Sequence, residues 1–152
     1  MNKIILTKLL IILFFISGCG YSPIFSNKNS NFSIIEIGIT GENKINNIIN
    51  NKLNSYKNSD REKTFSLNIN TNLKKSISSK NSKGDPKTFN LKVSAKISTK
   101  DNRGNLKEKL FIKSVNYNNL DNKFDLKKYE EKSIKNLAEI ISDEIIIYLQ
   151  SI

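Results

Sequence analysis

Residues 88–100 alternate strictly between apolar and polar side chains. The apolar members are Phe89, Leu91, Val93, Ala95 and Ile97, and the polar members between them are Asn90, Lys92, Ser94, Lys96 and Ser98. This period of two predicts a β-strand with one dry face and one wet face. Residues 64–77 have a similar pattern, with Phe65, Leu67, Ile69, Leu73 and Ile77 on the dry face. Strands of this kind require a second layer of structure over the dry face.

Two other segments have the period of an amphipathic helix and can supply that layer. Residues 41–58 place Ile45, Ile48, Ile49, Leu53 and Tyr56 on one stripe. Near the C-terminal end of the sequence, a second stripe consists of Leu126, Tyr129, Ile134, Leu137, Ile141, Ile145, Tyr148 and Leu149. Asp125 is the expected N-cap of this second helix, because a carboxylate can accept hydrogen bonds from the first free amides.

Two more strands complete the predicted sheet. In residues 32–39, Ile35, Ile37 and Ile39 are expected on one face, with Glu36 and Gly38 on the other. Residues 106–117 predict a last strand with less regular alternation, residues 78–87 a polar basic loop, and residues 101–104 a tight turn. The order β-α-β-β-β-α predicts an α+β fold with two helices on one face of a roughly four-stranded sheet. The first strand and helix permit a parallel pairing, and the later strands are expected to be antiparallel.

The charge of the chain is concentrated in its middle. Lys and Arg total 25 against 14 Asp and Glu, which gives a formal net charge of +11. Residues 52–113 contain sixteen basic and five acidic residues, whereas residues 114–152 contain five and seven. The middle segment should therefore attract anions. The richness in Asn, Lys and Ile also fits an A- and T-rich coding sequence, in which case some lysines are only solvated surface.

The sequence offers little for catalysis, and we expect neither an enzyme nor a metal or cofactor site. There is no histidine, which excludes Ser-His-Asp and Cys-His arrangements, and there is no glycine-rich phosphate loop. The adjacent acids Glu130 and Glu131 point in different directions on a helix. Lys92, Lys96 and Lys100 could hold nucleic-acid phosphates, but aromatic stacking residues are missing from that face, so no nucleic-acid partner is expected.

The N-terminal segment predicts export. Lys3 and Lys8 precede an uninterrupted apolar run over residues 9–16. This run is too short to cross a hydrocarbon core of ~30 Å, which needs about 20 helical residues. It is therefore expected to be the core of a signal peptide over residues 1–18.

The segment Ile16-Ser17-Gly18-Cys19 resembles the bacterial lipobox. It predicts cleavage before Cys19 and lipid attachment to its thiol by diacylglycerol, with further acylation giving lasting membrane attachment. Residues 19–31 are then a lipidated tether and residues 32–152 one periplasmic domain. Gly20, rather than Asp, follows the cysteine, and the lipoprotein sorting rule then implies the periplasmic side of the outer membrane.

The mature N-terminus, Cys19-Gly-Tyr-Ser-Pro-Ile-Phe25, resembles the Cys-Gly-aromatic-x-Pro-aliphatic-aromatic start of the LptE family of lipopolysaccharide-assembly lipoproteins. The order of strand, helix, basic hairpin, strand and amphipathic helix is also similar. The resemblance implies a plug inside an LptD-like outer-membrane β-barrel, help in assembling that barrel, and binding of lipopolysaccharide during its delivery to the outer leaflet.

Ligand contacts in that family are basic residues, but no local motif aligns them with this sequence. Clustering in the hairpin and turn selects Lys74, Lys75, Lys80, Lys83, Lys87 and Arg103 as candidates for lipopolysaccharide binding. Two other functions stay open. One is a substrate-handling lipoprotein of another envelope transporter, such as an ABC-type auxiliary lipoprotein, and the other is a purely structural envelope lipoprotein.

Overall fold

The structure is a computed structural model that describes residues 30–57 and 60–152. Its elements are β1 (Phe32–Thr40), α1 (Asn43–Asn54), β2 (Lys63–Lys80), β3 (Pro86–Asp101), β4 (Leu106–Asn118) and α2 (Lys123–Ser151). The four strands form one sheet in the order β1-β2-β3-β4, with β1 parallel to β2 and the later pairs antiparallel. The predicted α+β fold is therefore confirmed. The predicted signal peptide and Cys19 lie outside the described residues.

The core lies between one sheet face and the two helices, as the alternation in β3 predicts. Leu91, Val93, Ala95 and Ile97 are buried, and Lys92 and Lys96 are exposed. Phe89, which was also expected in the core, is only half-buried. The helices contribute to the same cluster through Ile45, Ile49, Leu53, Leu137, Ile141, Ile145 and Leu149. Burying one such aliphatic side chain stabilises the fold by roughly 1.5–3 kcal/mol.

In β1 the predicted face is wrong at one residue. Ile35 is 61% exposed, although the alternation placed it with Ile37 and Ile39. The register with β2 shifts between Ile34 and Glu36, so Ile35 is an extra residue in a bulge. Phe32 and Ile34 therefore face the core before the bulge, and the half-buried Ile37 and Ile39 do so after it.

Half of the predicted loop over residues 78–87 is strand, and only residues 81–85 form the turn. β2 continues to Lys80 and β3 begins at Pro86. The turn between them is closed by the backbone amide of Asn81, which donates to the carbonyl of Asp85 at 2.9 Å. The Asn81 side-chain oxygen also accepts from the Asp85 amide at 2.9 Å. Polar composition alone could not distinguish an exposed hairpin from a loop, because both are solvated.

Both helices begin or end at residues other than those predicted. Asn122, not Asp125, caps α2, because its side-chain oxygen accepts from the amides of Phe124 at 2.9 Å and Asp125 at 3.4 Å. Asp125 instead lies in the first turn, where the helix dipole favours a carboxylate. The helix α1 covers 43–54 rather than 41–58, yet Tyr56 is buried beyond its end, and the Tyr56 carbonyl accepts from the Ile34 amide at 2.9 Å.

The sheet is covered unevenly along its length. β1 pairs with β2 only from Lys63 to Asn70, so the rest of the β2–β3 hairpin extends past β1. Along β2 burial decreases in the same direction, from the buried Phe65 to the half-buried Leu73 and to Ile77, which is 49% exposed. We call the part of the hairpin beyond Asn70 the hairpin extension. Among the described helices, none is long and apolar enough to span a membrane.

Candidate ligand-binding surface

Three of the predicted lysines surround the tip of the hairpin extension. Lys80 ends β2, Lys83 lies in the turn, and Lys87 is the second residue of β3. All three are exposed, and none forms an ion pair within the part of the chain that the structure describes. We call them the tip lysines. They are free to contact an anion from solvent.

Lys75 has a different environment from its neighbours, because it lies on the helix-bearing face of the sheet. Its ammonium group is 2.6 Å from a carboxylate oxygen of Glu130 on α2 and 4.3 Å from the ring centroid of Phe89. The hydroxyl of Tyr117 donates to the same Glu130 oxygen at 2.7 Å. Burial, followed by this hydrogen bond, raises the pKa of the Tyr117 hydroxyl well above its usual value. Lys75 therefore joins the two layers and is a poor candidate for a ligand contact.

Lys74, one residue earlier, lies on the opposite, open face of the sheet. It is directly across from Lys92 in the β2–β3 register, and Lys96 and Lys100 follow on the same face of β3. We call these four residues the basic row. Lys96 is ion-paired with Glu108 at 2.8 Å, and the other three have no carboxylate partner in the described residues. Like charges directly opposite each other destabilise a sheet, so an anion bound over Lys74 and Lys92 would relieve their repulsion.

Arg103 does not belong to this cluster. It lies in the β3–β4 turn, at the other end of β3 from the tip lysines, and the intervening strand spans about 50 Å at its ordinary rise per residue. Arg103 instead lines a cavity of about 260 Å³ together with Lys63, Lys107 and Phe65. The turn is held by Asp101, whose pKa is lowered mainly by the hydrogen bond from the Asn105 side chain.

An exposed apolar row, which the sequence pattern did not predict, lies beside the basic row. Leu106, Leu110 and Ile112 on β4 are 70%, 57% and 49% exposed. In the β3–β4 register, Leu106 is opposite Lys100 and Leu110 is opposite Lys96. We call these three residues the apolar row. In the sequence, only the irregular alternation of residues 106–117 indicates this row. Its position beside the lysines depends on the cross-strand register, which no local pattern provides.

A second cavity lies near the hairpin extension. It has a volume of about 350 Å³ and is lined by Asn116, Tyr117, Asn118, Leu120 and Tyr129. The rings of Tyr117 and Tyr129 are 5.5 Å apart at their centroids, so its wall is partly aromatic. Within the described residues no group of three His, Cys, Asp or Glu side chains could hold a metal ion.

The basic row and the apolar row lie side by side on the open sheet face. This face offers ammonium groups and aliphatic side chains together, which suits a ligand with anionic and apolar parts.

Solved lipoprotein structures share this architecture. Rare lipoprotein B from Shewanella oneidensis matches with a TM-score of 0.63 and 13% identity, over 78% of this chain and 95% of that one. A minor lipoprotein from Acinetobacter baumannii matches with a TM-score of 0.55 and 10% identity, over 78% and 91%. A lipoprotein B from Nitrosomonas europaea matches with a TM-score of 0.54 and 15% identity, over 76% of this chain and 80% of that one. The chain has the fold of these lipoproteins. At such identities the likeness establishes the fold alone, and no protein-family model and no curated protein matches the chain.

Proposed function

We propose that this chain is an LptE-like lipoprotein of the outer membrane that binds lipopolysaccharide and associates with an LptD-like β-barrel. The observation that carries the proposal is the basic row beside the apolar row on an open sheet face. Lipopolysaccharide has phosphates and acyl chains in one molecule, and these match the two rows. The fold shared with solved lipoproteins and the Cys19–Phe25 start motif support the same function.

The phosphates would contact Lys74, Lys92 and Lys100, whose ammonium groups have no ion-pair partner in the described part of the chain. An exposed lysine contributes little alone, about 0.2–1 kcal/mol by analogy with surface ion pairs. Several must act together, and screening over about 8 Å at physiological ionic strength makes their contribution sensitive to salt. Acyl chains would cover the apolar row, where each Å² removed from water contributes about 25 cal/mol.

Binding measurements on charge-matched variants test the ligand. Replacing Lys74, Lys92 and Lys100 together with Gln should weaken lipopolysaccharide binding roughly three- to a hundredfold at low salt. This range corresponds to three free-energy contributions of about 0.2–1 kcal/mol each. Replacing Lys127, Lys128 and Lys132 on α2 with Gln removes the same charge from another exposed surface and should change the affinity much less. Equal losses in the two variants would indicate attraction by net charge only and would contradict the proposed site.

The tip lysines provide a separate comparison. The variant with Gln at positions 80, 83 and 87 should retain its fold, since all three side chains are exposed and unpaired within the described residues. A loss in this variant, without one in the basic-row variant, would move the binding site to the hairpin tip. The substitution Lys75→Gln is not used for this purpose, because its ion pair with Glu130 would confuse binding with stability.

The lipid anchor is tested at the mature N-terminus. We expect mass spectrometry of the protein from its native membrane to show cleavage before Cys19 and a lipid on its thiol. Cys19→Ser should abolish acylation and release the protein from the membrane, because its sulfur atom is the attachment site. An N-terminus at Met1, or a free thiol at Cys19, would contradict the lipoprotein assignment.

The partner is tested by purification of the protein from its native envelope in mild detergent. A co-purifying large β-barrel would support the plug function. An inner-membrane transporter in its place would favour a substrate-handling lipoprotein of another export system. If neither a barrel nor lipopolysaccharide accompanies the protein, a structural role in the envelope is preferred.

A further inference from the structure

The strand β4 is the last in the sheet, and its outer edge carries no further strand in the described residues. The Asp101 amide donates to the Asn105 carbonyl, and the Asn119 amide donates to the Lys87 carbonyl. Both bonds fit a register in which the odd-numbered residues of β4 bond to β3. Because bonded and non-bonded positions alternate in an antiparallel pair, the even-numbered residues direct their N–H and C=O groups to the free edge.

The side chains of β4 alternate between the two faces of the sheet. The open face carries the apolar row and Glu108, and the helix-bearing face carries Lys107, Lys109 and Lys113 beside the buried Phe111 and Tyr117. Lys113 is ion-paired with Glu144 at 2.5 Å. Lys107 and Lys109 have no carboxylate partner in the described residues, and Lys109 lies 4.6 Å from the ring centroid of Tyr148. The edge thus offers free backbone groups, aliphatic side chains on one face and unpaired ammonium groups on the other.

We propose that the free edge of β4 binds an extended segment of another protein in which aliphatic and acidic residues alternate. Such a segment would add a fifth strand by main-chain hydrogen bonding, and its side chains would select the site. Its aliphatic residues would extend the apolar row, and its carboxylates would meet Lys107 and Lys109. In an antiparallel arrangement these two lysines occupy non-hydrogen-bonded positions, where opposing Cα atoms are only about 4.5 Å apart.

Charge complementarity favours such a segment over a second copy of this chain. If two β4 edges paired in an antiparallel dimer, each face would continue across the new interface. Lysines on the helix-bearing face would then lie opposite lysines, which destabilises a pairing. Lysines on an edge strand are a common means by which proteins prevent it from pairing with another edge strand. Here the same lysines would admit a partner with acidic residues at alternate positions.

Peptide binding monitored by amide hydrogen exchange tests the proposal directly. The probe is a peptide of about nine residues that alternates Val and Glu, a length typical of a strand. We expect it to slow exchange at least about tenfold, equivalent to 1.4 kcal/mol, at the even-numbered β4 amides, including those of Leu110 and Ile112. The odd-numbered amides are already bonded to β3 and should change little. A scrambled peptide of the same composition and a Val-Lys alternating peptide are the controls and should give no such protection.

Two variants separate edge pairing from general charge attraction. Ile112→Pro removes an edge amide without removing a bond to β3, a position at which an edge strand tolerates proline, and it should abolish the protection. Ile112→Asn retains the amide and should retain part of the binding, which keeps the test valid if the proline variant folds poorly. Lys107→Glu with Lys109→Glu should reverse the preference toward the Val-Lys peptide.

The outcomes also separate this inference from the proposed lipopolysaccharide binding, on which it does not depend. The variant with Gln at positions 74, 92 and 100 should bind the Val-Glu peptide normally. Binding without protection of the even-numbered amides, or an unchanged preference in the double glutamate variant, would overturn the proposal. A dimer in solution that Ile112→Pro converts to a monomer would also overturn it and would make β4 an interface between copies of this chain.

Discussion

Lys75 of β2 and Glu130 of α2 connect the sheet to the helical layer through an ion pair of 2.6 Å. Lys75 belongs to the hairpin extension, beyond the end of the β1–β2 pairing at Asn70. Tyr117 of β4 donates to the same carboxylate, so one acidic side chain joins three elements. Along β2 itself, apolar burial decreases from Ile69 to the exposed Ile77, so these polar contacts help to attach this end of β2 to α2.

Glu130→Gln should therefore destabilise the protein by about 1 kcal/mol. Hydrogen bonds to a charged group contribute about 1.5–3 kcal/mol, and the side chains of Lys75 and Glu130 are 40% and 20% exposed, which reduces the value by solvent screening. Urea unfolding measures the change. The neighbouring substitution Glu131→Gln removes an exposed pair with Lys44 and should leave the unfolding midpoint almost unchanged. Equal effects of the two substitutions would contradict the connecting role of Glu130.

Gly41, between β1 and α1, is a second position with a clear physical requirement. Its φ is 104°, and a Cβ atom there would lie 2.0 Å from the carbonyl oxygen of Thr71. The Thr71 hydroxyl accepts from the Glu42 amide at 3.0 Å and donates to the Asn46 side chain at 2.5 Å. Thr71 therefore cannot move away from Gly41 without losing these hydrogen bonds.

Gly41→Ala should therefore lower the free energy of unfolding by more than about 2 kcal/mol, since backbone strain alone costs about 1–3 kcal/mol. Thermal unfolding provides the measurement. Gly84→Ala is the matched control, because Gly84 also has a positive φ of 88° but no atom lies within 4 Å of its added Cβ. It should cost only the strain of a left-handed alanine, about 1–2 kcal/mol. If the two variants were equally stable, the contact with Thr71 would have no energetic effect.

Most of the fold could be predicted because the hydrophobic period and the order of helices and strands along the chain can be read locally, whereas the order of the strands within the sheet could not. The pattern in β3 gave both its buried and its exposed face. Two of the errors occurred where a single residue changes the outcome: the extra residue at Ile35, and Asn122 rather than Asp125 as the cap of α2. A bulge and a cap depend on partners elsewhere in the fold or on a single hydrogen bond, and both leave the hydrophobic period almost unchanged.

The candidate surface was harder to predict because closeness in sequence is not closeness in space. Lys74 and Lys75 are neighbours in the chain but lie on opposite faces of β2. The sequence alternation already predicts this difference. Leu73 and Ile77 were placed on the dry face, and Lys75, two residues from each, must lie on the same face. Arg103, in contrast, is separated from the hairpin tip by the whole of β3, and the apolar row became visible only with the β3–β4 register.

Val93 gives the most severe expected effect in the core. Its side chain is fully buried in β3, so Val93→Asp would place an unpaired carboxylate among apolar groups. The cost of several kcal/mol per buried ion is comparable to the whole stability of a domain, which is about 5–15 kcal/mol. We expect this variant to be unfolded by circular dichroism. Lys92→Asp, one residue away on the exposed face, should remain folded, and a folded Val93→Asp protein would refute the assignment of the faces.

Tyr117 should make stability depend on pH in the alkaline range. Burial and the contact with Glu130 raise the pKa of its hydroxyl above the ordinary value of 10.0. The folded state therefore holds this proton more tightly than the unfolded state does. The resulting stabilisation is fully present below about pH 10 and is lost progressively as the pH rises above that value.

Tyr117→Phe removes this contribution, along with a hydrogen bond of about 1 kcal/mol. Its deficit relative to the unmodified protein should be constant up to about pH 10 and should shrink at higher pH, where the wild-type hydroxyl loses its advantage. Urea unfolding of both proteins between about pH 8 and pH 11 measures the difference, in which the titration of the lysines largely cancels. Tyr148→Phe is the control, because the Tyr148 hydroxyl donates no hydrogen bond within the described residues and its ring lies against Phe111 rather than Tyr117. A deficit of Tyr117→Phe that does not change across this range would show that the hydroxyl does not bind its proton more tightly in the folded state.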